Sequence, residues 1–176
     1  MAITRSRRPI AAAKIDAAAR RLLDASTLCA IATVTSRGRA HVNTAYFAWS
    51  RDLRLIWLSE PGSAHSRNLR ADPSAAIAVY DSNQTWGKRD RGIQLFGAAA
   101  EAAPEAEDVY ASRFPDYRAS EFPAYRLYEL VPRRLKLFDE RELGAATFVT
   151  ARVAAGGRLA WERTEIYRSR EPSKTR

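Results

Sequence analysis

The chain has 176 residues, 46% hydrophobic and 28% charged, with a formal net charge of +9. At ~100–200 residues per domain this is one domain, expected to bury roughly 70% of its unfolded surface, and the composition excludes wholesale disorder and fibrous repeats. A single cysteine, Cys29, excludes an intramolecular disulfide and a multi-cysteine zinc site, and two histidines, His41 and His65, exclude a histidine-rich metal site, so no metal is expected.

The charge is uneven. Arg5, Arg7 and Arg8 supply +3, and Arg168, Arg170, Lys174 and Arg176 against Glu171 supply another +3, leaving +3 for the body of the chain. A nucleic-acid reader concentrates charge on a folded face. Basic tails at 1–9 and 168–176, frayed and solvated, are expected instead, flanking one domain over 10–167. Polyanion binding through those tails is the remote alternative. No apolar run approaches the ~20 residues of a membrane helix. No secretory pattern is seen at the start, which sets the expectation of a cytoplasmic protein with no membrane partner.

Residues 10–25 read as an alanine-rich helix with Ile10, Ile15, Leu22 and Leu23 as its apolar stripe. Leu28–Val34 is a strand, Ser36-Arg37-Gly38-Arg39 a turn, and His41–Trp49 a second strand, apolar on both sides and expected to be covered on both. Ser50-Arg51-Asp52 turns into a third strand at Leu53–Leu58. Ser63 caps a short helix over Ala64–Ala71, which Asp72-Pro73 ends. Strands follow at Ala75–Tyr80 and Ile93–Ala100, separated by a polar loop that carries Trp86. A helix is expected at Glu105–Phe114 and strands at Leu127–Val131 and Leu135–Phe138, on either side of Pro132. Phe148–Val153 and Leu159–Tyr167 form a terminal hairpin about Gly156-Gly157, where positive φ is needed. Hairpins outnumber βαβ units. The pattern gives an α+β, mainly β, barrel-like domain with a few peripheral helices.

None of the common catalytic signatures is present: no GxSxG, Walker A, HExxH or GxGxxG. Cys29 sits in an apolar strand and reads as core. Glu105, Glu107 and Asp108 read as a solvated helix face. The informative stretch is LSEPGSAHSRNL, Leu58–Leu69. A strand breaks at Pro61-Gly62, and a helix starts at Ser63 with free amides and the positive end of its dipole. Ser63, His65, Ser66 and Arg67 add donors, a combination that suits a phosphate; an ordinary Ser-capped helix is the plain alternative. Asn43, Thr44 and Tyr46 place polar groups among apolar neighbours. Gln94 in mid-strand offers an amide donor and acceptor, and a solvent-facing strand residue is equally consistent.

In order, CAIATVTSRGRAHVNTAYFAW, LRLIWLSEPGSAHSRNLRADPSAAIAVYDS and RGIQLFGAAAEA resemble the flavin-binding split-barrel proteins related to pyridoxamine 5'-phosphate oxidase, from about Leu23 to Phe138. The Ser-Ala-His segment, Gly-Ile-Gln and the late LKLFDERELG resemble a branch of small members of that family more than the oxidase itself. The resemblance implies a split β-barrel of about six antiparallel strands, a homodimer, and two FMN sites between subunits. In the family a basic residue two positions after the Ser at the helix start holds the flavin phosphate; that position is His65. The second strand lines the flavin, which maps onto Asn43, Thr44, Ala45 and Tyr46. The end of the third strand maps onto Leu58 and Ser59, and the strand after the polar loop contributes Gln94.

An imidazole is only partly cationic near its ~6.5 reference pKa, so phosphate binding should lean on Arg67, Ser63 and the helix amides. The family's Arg-x-His-Asp-Arg substrate segment is absent; GRLAWERTEIYRSR stands there, with Trp161 and Arg163 as its only echo, and the small-molecule substrate is left open. The resemblance implies an FMN-dependent oxidoreductase in which Tyr46, Gln94 and Trp86 shape the ring pocket. No general acid or base is visible. The alternative is a non-catalytic module of the same fold that binds flavin, deazaflavin or haem, with His65 or His41 as the histidines available to iron.

Overall fold

A computed structural model describes residues 2–6, 9–81 and 83–168. Helix α1 (Ala12–Ala25) presents Ile15, Ala18, Ala19, Leu22 and Leu23 as one buried stripe at the i, i+3, i+4, i+7, i+8 spacing of an amphipathic helix. Strand β1 (Ala2–Ser6) precedes it. After it come β2 (Leu28–Val34), β3 (Ala40–Tyr46), β4 (Ala48–Trp49), β5 (Leu55–Ser59), α2 (Ala64–Ala71), β6 (Ser74–Tyr80) and β7 (Arg91–Glu101). Helix α3 (Ala106–Arg113), β8 (Arg126–Asp139), the short α4 (Glu140–Leu143), β9 (Thr147–Val153) and β10 (Leu159–Arg168) complete the chain.

The strands join antiparallel in the order β1-β10-β9-β8-β7-β6-β2-β3, and β5 leaves this path to pair with both β4 and β8. The result is a split barrel, curled around a core but not closed. Inside lie Ile31, Phe47, Leu55, Trp57, Ile77 and Leu95, all inaccessible to solvent. Cys29 belongs to this core, and burial pushes its thiol up to about 12, away from reactivity.

Four expectations are corrected. The N-terminal end is not wholly frayed: Ala2–Ser6 pair with Arg168–Thr164 of β10 as an edge strand, while Arg7, Arg8 and residues 169–176 lie outside the described residues. The His41–Trp49 strand is two strands. Its first part pairs with β2 and its second with β5, and the fully buried Phe47 marks the crossing. That first part is not covered on both sides, because β3 is an edge strand with Val42 and Tyr46 64% and 60% exposed. Finally, Pro132 does not divide two strands. Strand β8 runs through it, because the register against β7 shifts between Phe96 and Gly97 and absorbs the missing N–H. Gly97 permits this: a Cβ there would overlap the Val131 carbonyl.

Candidate functional site

Strand β5 ends at Ser59, and the turn Glu60-Pro61-Gly62 brings the chain into α2. Ser63 is the N-cap: its backbone is extended and its Oγ accepts from the Ser66 amide. By helix geometry the first-turn amides of Ala64 and His65 have no carbonyl within the helix to bond. The helix ends as expected at Asp72, ahead of Pro73.

Around this corner four side chains form a closed polar cluster. Ser59 Oγ lies 2.7 Å from His65 Nε2, 3.2 Å from Ser63 Oγ and 3.2 Å from Ser66 Oγ. Ser63 donates to Ser66 Oγ at 2.9 Å and lies 3.3 Å from the His65 ring nitrogens. His65 and Ser66 are buried, and Ser63 is half-buried at the mouth. His65 faces His41 of β3, with ring centroids 6.5 Å apart and planes 22° from parallel. Asn68 of α2 donates to Thr33 Oγ1 of β2 at 3.0 Å, and Thr33 Oγ1 is 3.5 Å from His41 Nδ1. Three strands and a helix thus converge on one hydroxyl–imidazole cluster.

Burial, and then the neighbouring His41, hold the His65 pKa below the ordinary histidine value. At neutral pH its imidazole is therefore uncharged and hydrogen-bonded inward to Ser59. Positive charge comes from outside the cluster. The Arg67 guanidinium donates to the Gly62 carbonyl and Arg70 Nη2 to the Pro61 carbonyl at 2.9 Å, which anchors two cations against the turn. The corner therefore offers hydroxyls, first-turn amides and two arginines, with Glu60 as the acidic side chain in the turn itself.

The other sequence-derived residues fall on two faces. Thr44 and Tyr46 stand on the exposed face of β3, and Asn43 and Ala45 on its half-buried face. Thr44 lies opposite Ala30, Ala30 opposite Ala78, and Ala78 opposite Gln94, which is exposed on the same outer face. Three strand spacings of ~4.8 Å separate Thr44 from Gln94 by about 14 Å, so one chain does not bring them together. Leu58, half-buried, points away from the cluster that its neighbour Ser59 joins. Trp86 is 98% exposed on the 81–91 connection. Sequence reasoning missed the parts played by Thr33 and Asn68. Asn68 had a signal, the Ser-x-x-x-x-Asn-Leu spacing, which places it on the α2 face toward β2.

No helix among the described residues is long and apolar enough to cross a membrane. Antiparallel strands curled into a split barrel, with a Ser-capped helix closing its polar corner, define a split-barrel protein. The family model described as pyridoxamine 5'-phosphate oxidase matches residues 15–139, and the chain belongs to that family. The pyridoxine/pyridoxamine 5'-phosphate oxidase of Rubrobacter xylanophilus is 26% identical over 85 residues; the matched part is 48% of this chain and only 37% of that enzyme. A heme binding protein from Mycobacterium smegmatis superposes with a TM-score of 0.65 at 18% identity, covering 86% of this chain and 62% of that one. A putative pyridoxamine 5'-phosphate oxidase from Listeria innocua superposes with a TM-score of 0.59 at 14% identity, covering 70% and 98%. Both superpositions establish the fold.

Proposed function

We propose that the chain is a homodimeric FMN-binding protein that acts as a flavin-dependent oxidoreductase on a small molecule. The observation that carries this is a juxtaposition at the β3 edge. A donor-rich corner at the start of α2 packs through His65 against His41 on the inner face of β3, and the outer face of the same sheet edge leaves Val42, Tyr46 and Leu28 more than half exposed. An exposed apolar face of this kind marks an interaction surface, and a second copy of the chain is the occupant the family resemblance implies.

The residues fit the cofactor. Ser63, the first-turn amides of α2 and Arg67 would hold the phosphate. His65 does not reach it directly; it fixes the Ser59 and Ser63 hydroxyls from behind. As an edge strand, β3 has main-chain N–H and C=O groups free on one side to meet a ring edge at Asn43–Tyr46. With Gln94 about 14 Å from Thr44 in one chain, a ring lying along β3 would meet Gln94 only across the dimer. When bound, the flavin supplies the redox chemistry, and the protein positions it and excludes water.

The haem alternative fits the residues less well. His65 is buried with Nε2 2.7 Å from Ser59 Oγ, and His41, half-buried, has Nδ1 3.5 Å from Thr33 Oγ1. An absorbance spectrum of freshly purified protein separates the readings. Blue and near-ultraviolet flavin bands are expected. A Soret band, or a colourless protein that takes up no added FMN, would contradict the proposal.

A further inference from the structure

The face of β5 opposite Ser59 opens on a second site. Leu58 lines a cavity of about 290 Å³ together with Tyr117, Phe122, Tyr125, Leu127 and Glu107. Three of its walls are aromatic and come from the 114–125 segment. Tyr117 and Phe122 are nearly parallel, 15° apart in plane with centroids 5.9 Å apart. Phe122 and Tyr125 meet edge to face at 5.8 Å. Tyr117 is braced edge to face at 5.1 Å by the buried Tyr110 of α3. Phe122 and Tyr125 nevertheless remain 37% and 42% exposed, so both keep accessible ring surface beside the cavity they line.

The charge around the cavity has one sign to spare. Arg126, which also lines it, is committed: Nη1 donates to the Pro123 and Tyr125 carbonyls at 3.0 and 2.7 Å, and Nε lies 3.7 Å from Glu101. Glu107 makes no ion pair among the described residues. Its carboxylate, after burial, helps to raise the Tyr117 phenol above its ordinary pKa, which places Glu107 in the electrostatic range of the ring. Ring faces carry negative potential and attract cations. An anion would meet Glu107, and a metal ion would find too few oxygen ligands.

We infer that this cavity binds a small organic cation, a protonated or methylated alkylamine, through cation–π contact with Tyr117, Phe122 and Tyr125 and charge pairing with Glu107. The inference does not depend on a bound flavin, so it and the proposed function fail separately.

Calorimetric titration of the full-length protein with choline, and with its neutral isostere 3,3-dimethylbutan-1-ol, tests the site. Choline is expected to bind saturably and the isostere at least about tenfold more weakly, since the two share a shape and differ in charge. Phe122→Leu keeps the apolar bulk and removes the π face; Glu107→Gln keeps the shape and removes the charge. Each is expected to weaken choline about two- to thirtyfold, with thermal melting showing that the variant is folded. The inference is overturned by no saturable binding up to ~10 mM choline, by equal binding of the isostere, or by an affinity unmoved in either variant.

Discussion

Strands β2, β3, β6 and β7 carry two faces of one sheet that have met different fates. Inward, Ile31, Ile77 and Leu95 are fully buried. Outward, Val42, Ala32, Ala76 and Phe96 form one cross-strand row, and Thr44, Ala30, Ala78 and Gln94 form the next. Leu28, Val42, Tyr46, Tyr80 and Phe96 on that side are 39–64% exposed. An antiparallel sheet with one face in water normally alternates apolar inward and polar outward. Here the outward side is apolar too, so alternation alone does not separate the face the chain buries itself from the face it presents. What separates them is topology: α1 and the curl of the barrel close the first, and no element among the described residues covers the second.

The sharpest break of the inner face is Trp57→Ala. Trp57 is fully buried and stacks on Tyr128 with centroids 6.0 Å apart. Truncation should cost about 3–5 kcal/mol, read as a lowered urea midpoint; a cost typical of surface changes would mean that the barrel interior is not packed as described. On the outer face, Val42→Glu should convert a dimer into a monomer by light scattering and weaken FMN at least about tenfold, since a desolvated carboxylate would lie in the contact. A dimer that persists with unchanged FMN affinity would assign this face to something else.

A third prediction concerns the polar corner between the faces. The His65 pKa is held below its unfolded value, so the native state keeps the neutral ring. Above the ordinary ~6.5 both states are neutral and stability does not depend on this group. As pH falls through that value the unfolded chain takes up the proton first, and stability is progressively lost until the folded pKa is passed. His65→Gln should flatten the fall in melting temperature between about pH 7 and 5; a slope equal to that of the parent protein would refute the assignment. The smallest effect is expected for Tyr128→Phe. The Tyr128 hydroxyl and the Trp57 indole N–H are buried without hydrogen-bond partners among the described residues. Removing the hydroxyl breaks no bond, so stability should be unchanged or rise by up to about 1 kcal/mol. A clear loss would reveal a partner, such as a buried water.

What the sequence made legible follows the same division. Helix α2 was readable to the residue because Ser63 and Pro73 are local stop signals, and the last hairpin because Gly156 and Gly157 take positive φ, 71° and 73°. Strand β1 was not, since Ala-Ile-Thr-Arg-Ser carries no core pattern and is defined by its partner β10. Continuity through Pro132 was also hidden, because it depends on a compensating shift at Gly97 in another strand. In the site, Ser63 and His65 stood out as a helix start. The inward turn of His65 did not, for it depends on where β5 delivers Ser59.

The central claim is most directly tested by titrating the full-length protein against FMN and following flavin fluorescence. Quenching that saturates at one flavin per chain and weakens about 10- to 150-fold in Arg67→Ala is the expected result, a charge-assisted contact being worth ~1.5–3 kcal/mol. Fluorescence that stays at the free-flavin level throughout the titration would contradict it.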